Sequence, residues 1–289
     1  VVREGHHDDG RRIDRPLDSH KPLGDLDRLL LAIEADWGFK GLTIDTYLLG
    51  QVQQILRKGD WKVTAAIHEP VDGGQSTLVA IYPGLKNEAY GIACDIGSTT
   101  IAMHLSSLLS GRTLASSGTS NPQIRFGEDL MSRVSYVMMN PEGREGMTVA
   151  VREAINGLID KVCAEGEIQR TDILDAVFVG NPIMHHLFLG IDPTELGGAP
   201  FALAVSGAVN VKASEIDIPL NRGARVYMLP CIAGHVGADA AAGRGGCALR
   251  RARRGDRLPR WQHQVRCNAH ARGQRQNRAV QALSASAEH

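Results

Sequence analysis

Residues 94–100, Cys94-Asp95-Ile96-Gly97-Ser98-Thr99-Thr100, bring together the groups that a nucleotide phosphate requires. An acid stands at the end of an apolar run, a glycine follows, and three hydroxyls come in succession. Glycine lets the backbone turn tightly and approach an anion closely. Turn amides and the hydroxyls of Ser98, Thr99 and Thr100 can donate to phosphate oxygens. Asp95 cannot face a phosphate without repulsion, so it requires Mg2+ or ordered water between the two. The pattern is not a Walker loop, because G-x4-G-K-S/T occurs nowhere in the chain. The competing reading is a hairpin whose Asp and Thr side chains satisfy their own turn amides.

Further residues have weaker claims. Arg125, Glu128 and Asp129 follow the Asn121-Pro122 break. An acid at a helix start, Asp129, could hold metal-bound water, or could simply complement the helix dipole beside a local ion pair. Asn181 sits between a buried strand and a helix N-terminus, where both anion contacts and ordinary capping occur. His185-His186 suggests a metal, but adjacent helical side chains point about 100° apart and cannot share one ion, so a structural or surface role is expected. Gly234, Gly237 and Ala238–Ala242 allow a close helix crossing of the kind a hinge needs, and Asp239 in that helix could face a nucleotide. Cys94, Cys163 and Cys231 lie in apolar runs and read as buried thiols rather than ligands.

The elements that position these residues follow from periodicity. Residues 24–37 space their apolar side chains as a helix, with Asp25 as its cap. A second helix is expected over 45–58, ending at Gly59-Asp60. Strands over 61–67 and 76–82 complete a small α+β unit. From residue 90 the pattern changes to strand, tight turn, strand, strand (90–96, 100–108, 113–117). Helices are expected at 128–139 and 141–164, a turn at Thr171-Asp172, a buried strand at 176–179, and a helix from Asn181-Pro182 to Gly190. Residues 190–224 read as irregular, 225–229 as a strand, and 234–242 as the start of a small-residue helix. A three-strand meander followed by alternating helices and strands is the order of one lobe of an actin-like, ribonuclease H-like ATPase fold.

Four blocks, YGIACDIGSTTIA (90–102), NPQIRFGEDLMSRV (121–134), VFVGNPIMHHLFLGIDP (177–193) and LPCIAGHVGADAAA (229–242), resemble the reductive activators of corrinoid proteins, and GDWKVTA (59–65) resembles that family's middle domain. The resemblance covers about residues 1–242. It implies membership of the superfamily of acetate and sugar kinases, heat-shock chaperones and actin. The implied activity couples ATP hydrolysis to returning Co(II) corrinoid of B12-dependent methyltransferases to Co(I). Electrons would come from a 2Fe-2S cluster in an N-terminal ferredoxin-like domain. On this reading Asp95 positions Mg2+ or its water shell, with Asp129 as a second metal candidate. Gly97, Ser98, Thr99, Thr100, Asn181, Gly237 and Asp239 contact ATP. The implied partner is the corrinoid protein of such a methyltransferase system, and the implied compartment is the cytoplasm. A homodimer is left open. The alternatives are another ATPase or kinase of the superfamily, such as an activator of 2-hydroxyacyl-CoA dehydratases, or a non-catalytic docking module.

Composition sets the outer bounds. The 289 residues are 43% apolar and 22% charged, with zero formal net charge. The zero hides a split, since residues 1–242 carry −9 and residues 243–289 carry +9, the latter with 11 Arg and no Lys. The expected division is a linker (1–23), a middle α+β domain (24–86), the first ATPase lobe (87–242), and a basic tail (243–289). The tail has six large apolar residues at no regular period, too few to offset ordering entropy, and reads as disordered or as GC-rich DNA translated out of frame. It lacks the interleaved aromatics of a nucleic-acid arm. No apolar run is long enough for a membrane span and no secretory signal is present. Five widely spaced cysteines without C-x2-C pairs argue for a reducing compartment and against a cluster within this chain. Set against the family it resembles, the chain is expected to lack an upstream cluster domain and a downstream lobe, leaving half of an ATP cleft.

Overall fold

The structure, a computed structural model, describes residues 23–70 and 73–231 together with the backbone of two short strands at 2–4 and 265–266. The chain divides between Ala89 and Tyr90 into two compact units.

The first unit contains β1 (Val2–Glu4), α1 (Asp25–Trp37), β2 (Thr43–Ile44), α2 (Thr46–Leu49), α3 (Val52–Lys58), β3 (Val63–His68) and β4 (Thr77–Pro83). Strands β3 and β4 are antiparallel, β1 pairs antiparallel with the other side of β3, and β2 runs parallel to β4. Leu29 and Ile33 of α1, one turn apart, meet Leu48, Val52 and Leu56 over the strand residues Val63, Ala65, Ile67, Leu78 and Ile81. Each such fully buried side chain contributes about 1.5–3 kcal/mol.

Three expectations change here. Gly24, not Asp25, caps α1, because the Asp27 carboxylate accepts from the Gly24 N–H at 3.2 Å. Asp25 instead pairs with Arg57 at 2.7 Å and with Arg28 at 3.7 Å. The single helix expected over 45–58 is two, α2 and α3, interrupted at Gly50 and Gln51, where a poor helix former weakens the ladder. Residues 1–23, read as a linker, contribute strand β1.

The second unit is built on β5 (Tyr90–Ile96), β6 (Thr100–Ser107) and β7 (Thr113–Ser120), an antiparallel meander. After it come α4 (Leu130–Met139), α5 (Gly143–Glu165), β8 (Ile173–Gly180), α6 (Pro182–Leu189), β9 (Val209–Lys212) and β10 (Arg225–Met228). The last strand, β11 (Val265–Arg266), runs parallel to β1 in the first sheet. In the second sheet the order is β7-β6-β5-β8-β10-β9, with β8 parallel to β5 and β10 parallel to β8. This is the meander followed by helical crossovers that the sequence pattern predicts.

Alternation places Ile92, Cys94 and Ile96 of β5 in the core and leaves Asp95 exposed. Helix α5, about 35 Å long at 1.5 Å per residue, lays Met147, Val151, Ile155, Ile159 and Val162 into the same core. The Phe178 and Phe188 rings stack there at 4.7 Å. Helix α4 begins at Leu130 rather than Glu128, and α5 at Gly143 rather than Pro141. Strand β8 is twice the expected length. Within 190–224, read as irregular, β9 pairs antiparallel with β10. Its four residues are too short to show a period among the surrounding glycines and prolines.

The expected helix over 234–242, with Gly234, Gly237 and Asp239, lies outside the described residues, as do Cys247 and Cys267. Among the described residues no helix is long and apolar enough to cross a membrane.

Candidate functional site

Strands β5 and β8 are parallel neighbours in the register Asp95↔Val179 and Ile96↔Gly180. Their carboxyl ends therefore release two turns side by side, Gly97–Thr99 and the turn at Asn181. Loops at the carboxyl ends of neighbouring parallel strands are where open α/β sheets bind ligands.

The first turn admits no side chain at its start. A Cβ on Gly97 would stand 2.5 Å from the Thr100 carbonyl oxygen. The three carbonyls that follow are all held from one side. Asn121 Nδ2 donates to Gly97 O at 2.8 Å, Arg133 Nη2 donates to Ser98 O at 2.5 Å, and the Asn121 backbone N–H donates to Thr99 O at 2.8 Å. Across a planar trans peptide each N–H points opposite to the preceding carbonyl. The amides of Ser98 and Thr99 thus face away from Asn121 and Arg133, and neither has a protein acceptor among the described residues. The hydroxyls of Ser98, Thr99 and Thr100 likewise have no protein partner there. Thr99, Thr100 and Asp95 are exposed. Hydroxyls that served only to stabilise the hairpin would be bonded to it; among the described residues those of Ser98, Thr99 and Thr100 are not. The turn presents amide and hydroxyl donors on one side, with a carboxylate one strand position away.

Asn181 does two things. Its Oδ1 accepts from the Met184 N–H at 3.0 Å and caps α6, with Pro182 in the first turn. Its side-chain NH2 has no protein partner among the described residues, which leaves a donor beside the Gly97 turn.

Asp129 caps α4. Its carboxylate accepts from Ser132 N at 2.8 Å and from Ser132 Oγ at 2.9 Å. Those bonds, with smaller help from Met131 N and the Arg133 charge, hold it below the usual carboxylate range. Each oxygen thus accepts one bond from Ser132, which is the capping arrangement. Arg125 lies over the Phe126 ring at 4.8 Å. His185 and His186 are buried core residues, as expected from their adjacency. His186 Nδ1 meets Pro182 O at 2.8 Å and its Nε2 accepts from the Ala204 N–H at 3.1 Å, so it is neutral. Burial, then the neighbouring His186, pulls His185 down to about 4.

The groups implied from the sequence can be matched against these residues. The donors at Ser98, Thr99 and Asn181 fit the phosphates of ATP. Mg2+ keeps most of its water and takes one or two carboxylates besides phosphate, so the single exposed Asp95 suits it. A 2Fe-2S cluster does not fit. Cys94, Cys163 and Cys231 are buried on separate elements, burial and then Asp95 push the Cys94 thiol well up, and no group of three metal-ligating side chains exists among the described residues.

Sequence reasoning missed Arg133, Asn121 and Gln123. Arg133 is fully buried, its Nε donating to Gly127 O at 2.9 Å. Gln123, also fully buried, donates from Nε2 to Met147 O at 3.0 Å and offers Oε1 to Asn121 and Arg133. A signal was present: Arg133 occupies the apolar stripe of α4 beside Val134 and Val137, where an unpaired charge has no structural advantage.

Comparison with known proteins identifies the family. A model of the RACo middle region matches residues 90–252, more than half of the chain. The chain belongs to the RACo family. A model of the RACo linker region matches residues 14–88. The first unit therefore corresponds to the RACo linker region, where the sequence suggested the middle domain, and the Gly97 turn lies in the RACo middle region. That match also runs ten residues past Ala242, where the resemblance was expected to stop. The corrinoid activation enzyme RamQ of Eubacterium limosum is 35% identical over 178 residues, 61% of this chain and 30% of that protein. A solved structure titled reductive activator for corrinoid, iron-sulfur protein matches with a TM-score of 0.74 and 34% identity, over 82% of this chain and 37% of the other. The chain thus spans about a third of the length of these RACo-type relatives.

Proposed function

We propose that this RACo-family chain carries the first phosphate loop of an ATP-dependent activator that returns a Co(II) corrinoid to Co(I). The observation that carries the proposal is the Gly97 turn, with three carbonyls tied back and its amide and hydroxyl donors left unpaired. The names of the two relatives support the corrinoid part. The partner is then the corrinoid protein of a B12-dependent methyltransferase system, in the cytoplasm. One electron reaches the cobalt per activation, supplied by an iron–sulfur centre for which the described residues offer no ligand set.

In this scheme Ser98 and Thr99 donate backbone N–H and hydroxyl hydrogens to phosphate oxygens, Thr100 adds its hydroxyl, and Asn181 donates from its side-chain amide. Asp95 would hold Mg2+ through its water shell, and the ion would supply charge neutralisation at the phosphates. Catalysis at phosphates of this kind is largely positioning and charge stabilisation.

The test is an amide-resolved NMR titration of the chain with ATP, with and without Mg2+. Saturable shifts at Ser98–Thr100 and Asn181 are expected, and Asp95→Asn should remove the Mg2+ dependence while leaving the loop response. ATP that binds without perturbing the Gly97 turn would overturn the proposal.

A further inference from the structure

We propose that Arg133, assisted by Asn121, is the positioning residue of the phosphate loop and supplies the fixed positive charge that selects a multiply charged phosphate chain as ligand. This rests on the reading of the Gly97 turn as a phosphate loop, and adds how the loop is set and what it prefers.

Arg133 is completely buried in α4. Its guanidinium meets only neutral acceptors: Ser98 O at 2.5 Å, Gly127 O at 2.9 Å, Gln123 Oε1 at 3.5 Å and Met184 Sδ at 3.3 Å. No carboxylate lies within ion-pair distance of it among the described residues. Asp129, the acid whose charge acts on it, is bonded to Ser132 at the exposed start of the helix, outside ion-pair distance. A buried cation without a counter-ion is costly, and a Met or Leu would fill the same space more cheaply. Its charge is therefore only partly offset, by Asp129, and lies directly behind the Ser98 peptide. An anion on the far side of that peptide completes the pair.

The geometry completes the argument. An anion site built from a backbone turn must hide carbonyl oxygens and show N–H groups. Arg133 turns the Ser98 carbonyl inward, and Asn121 turns those of Gly97, through its side chain, and Thr99, through its backbone N–H, so two residues withdraw three successive carbonyls. Both side chains also touch Met184 Sδ of α6, at 3.3 Å and 3.6 Å. The helix capped by Asn181 is therefore seated on the same network, and both turns of the site share one support.

The test uses the full chain and three variants, Arg133→Met, Arg133→Lys and Asn121→Ala. Tripolyphosphate, Mg-ATP and adenosine are titrated at two salt concentrations, with folding checked by thermal unfolding. Charge-assisted hydrogen bonds of this class predict a loss on the order of 10–100-fold in tripolyphosphate and Mg-ATP affinity for Arg133→Met. Its salt dependence should flatten and adenosine binding should not change. Arg133→Lys should keep the salt dependence with reduced affinity, because an ammonium cannot reach both Ser98 O and Gly127 O. A folded Arg133→Met that binds both phosphates as the parent does overturns the inference and leaves the loop reading intact. A parent chain whose loop responds to neither phosphate overturns the loop reading itself. Should Arg133→Met not fold, parent-like affinity in both other variants overturns the inference. Should none fold, amide exchange in the parent decides: fast exchange at Ser98 and Thr99, slowed by tripolyphosphate, supports it, and protection before any ligand overturns it.

Discussion

Strand β6 has a turn at each end, and the two turns are made of similar residues used in opposite ways. The turn from β6 to β7 closes on itself. Ser107 Oγ accepts from Ser110 N at 3.3 Å, Ser110 Oγ accepts from Arg112 N at 3.3 Å, and Gly111, at φ 69°, donates to Ser107 O at 2.8 Å. Its hydroxyls stabilise their own backbone, as short polar side chains in turns usually do. The turn from β5 to β6 has three hydroxyls and bonds none of them to protein among the described residues. Its backbone is held instead by Asn121 and Arg133, which follow later in the chain. Hydroxyl-rich composition alone does not separate a structural hairpin from a binding loop. What separates them is whether the holding bonds come from inside the turn or from outside it.

Four changes would break or sharpen that contrast. The largest effect is expected from Gly97→Val, whose Cβ would stand 2.5 Å from the Thr100 carbonyl oxygen. It should abolish the loop response to Mg-ATP and lower stability by about 2–4 kcal/mol in thermal unfolding. Gly111→Ala in the other turn should cost only about 1–2 kcal/mol, for its left-handed backbone, with ligand response intact.

Next comes acid, which affects both turns alike. His185 is held neutral in the fold, so its folded value of about 4 lies below the ordinary 6.5. In that window the unfolded chain binds the extra proton. Stability is therefore fully present above about pH 6.5 and falls as pH drops toward 4, by on the order of 3 kcal/mol at most. Urea unfolding between pH 4 and 7.5 should show this, and His185→Phe should flatten the curve. Loop-specific comparisons consequently belong above pH 7.

Third, Thr99→Val with Ser98→Ala should weaken Mg-ATP binding by about tenfold and leave stability within about 0.5 kcal/mol of the parent. Ser107→Ala with Ser110→Ala should do the reverse, costing about 1 kcal/mol without touching the titration. The smallest effect is expected from Asp129→Asn. Asparagine caps helices nearly as well as aspartate, so melting at neutral pH should barely move. What should disappear is the part of acid sensitivity contributed by a carboxylate whose folded pKa is depressed, stability present above its unfolded value and lost as pH falls through the folded one.

These contrasts show where sequence was sufficient. The strand-Asp-Gly-hydroxyl order of 94–100 located the turn because each residue type is locally required there. The alternation of β5 and the helical spacing of α1 and α5 fixed the core faces for the same reason. Asn181 was legible as a position and not as a role, since capping and ligand donation use different ends of one side chain. Asp129 was legible as a position and not as a role, since an acid two residues past a glycine at a helix start suits both a metal and a cap, and the bonds to Ser132 show the cap. Arg133 and Asn121 were passed over because their partners, Ser98 and Gly97, lie 35 and 24 residues away. No local pattern encodes such a bond, though a charge on the buried stripe of α4 hints that something distant must hold it.

The most direct test of the account is a comparison of the two β6 turns in one experiment. Backbone amides of the full chain are followed by NMR at neutral pH while Mg-ATP is added. The account predicts saturable shifts at Ser98, Thr99 and Thr100, and none at Leu108–Arg112. A chain that binds Mg-ATP while the Gly97 turn stays silent, or while both turns shift alike, would contradict it.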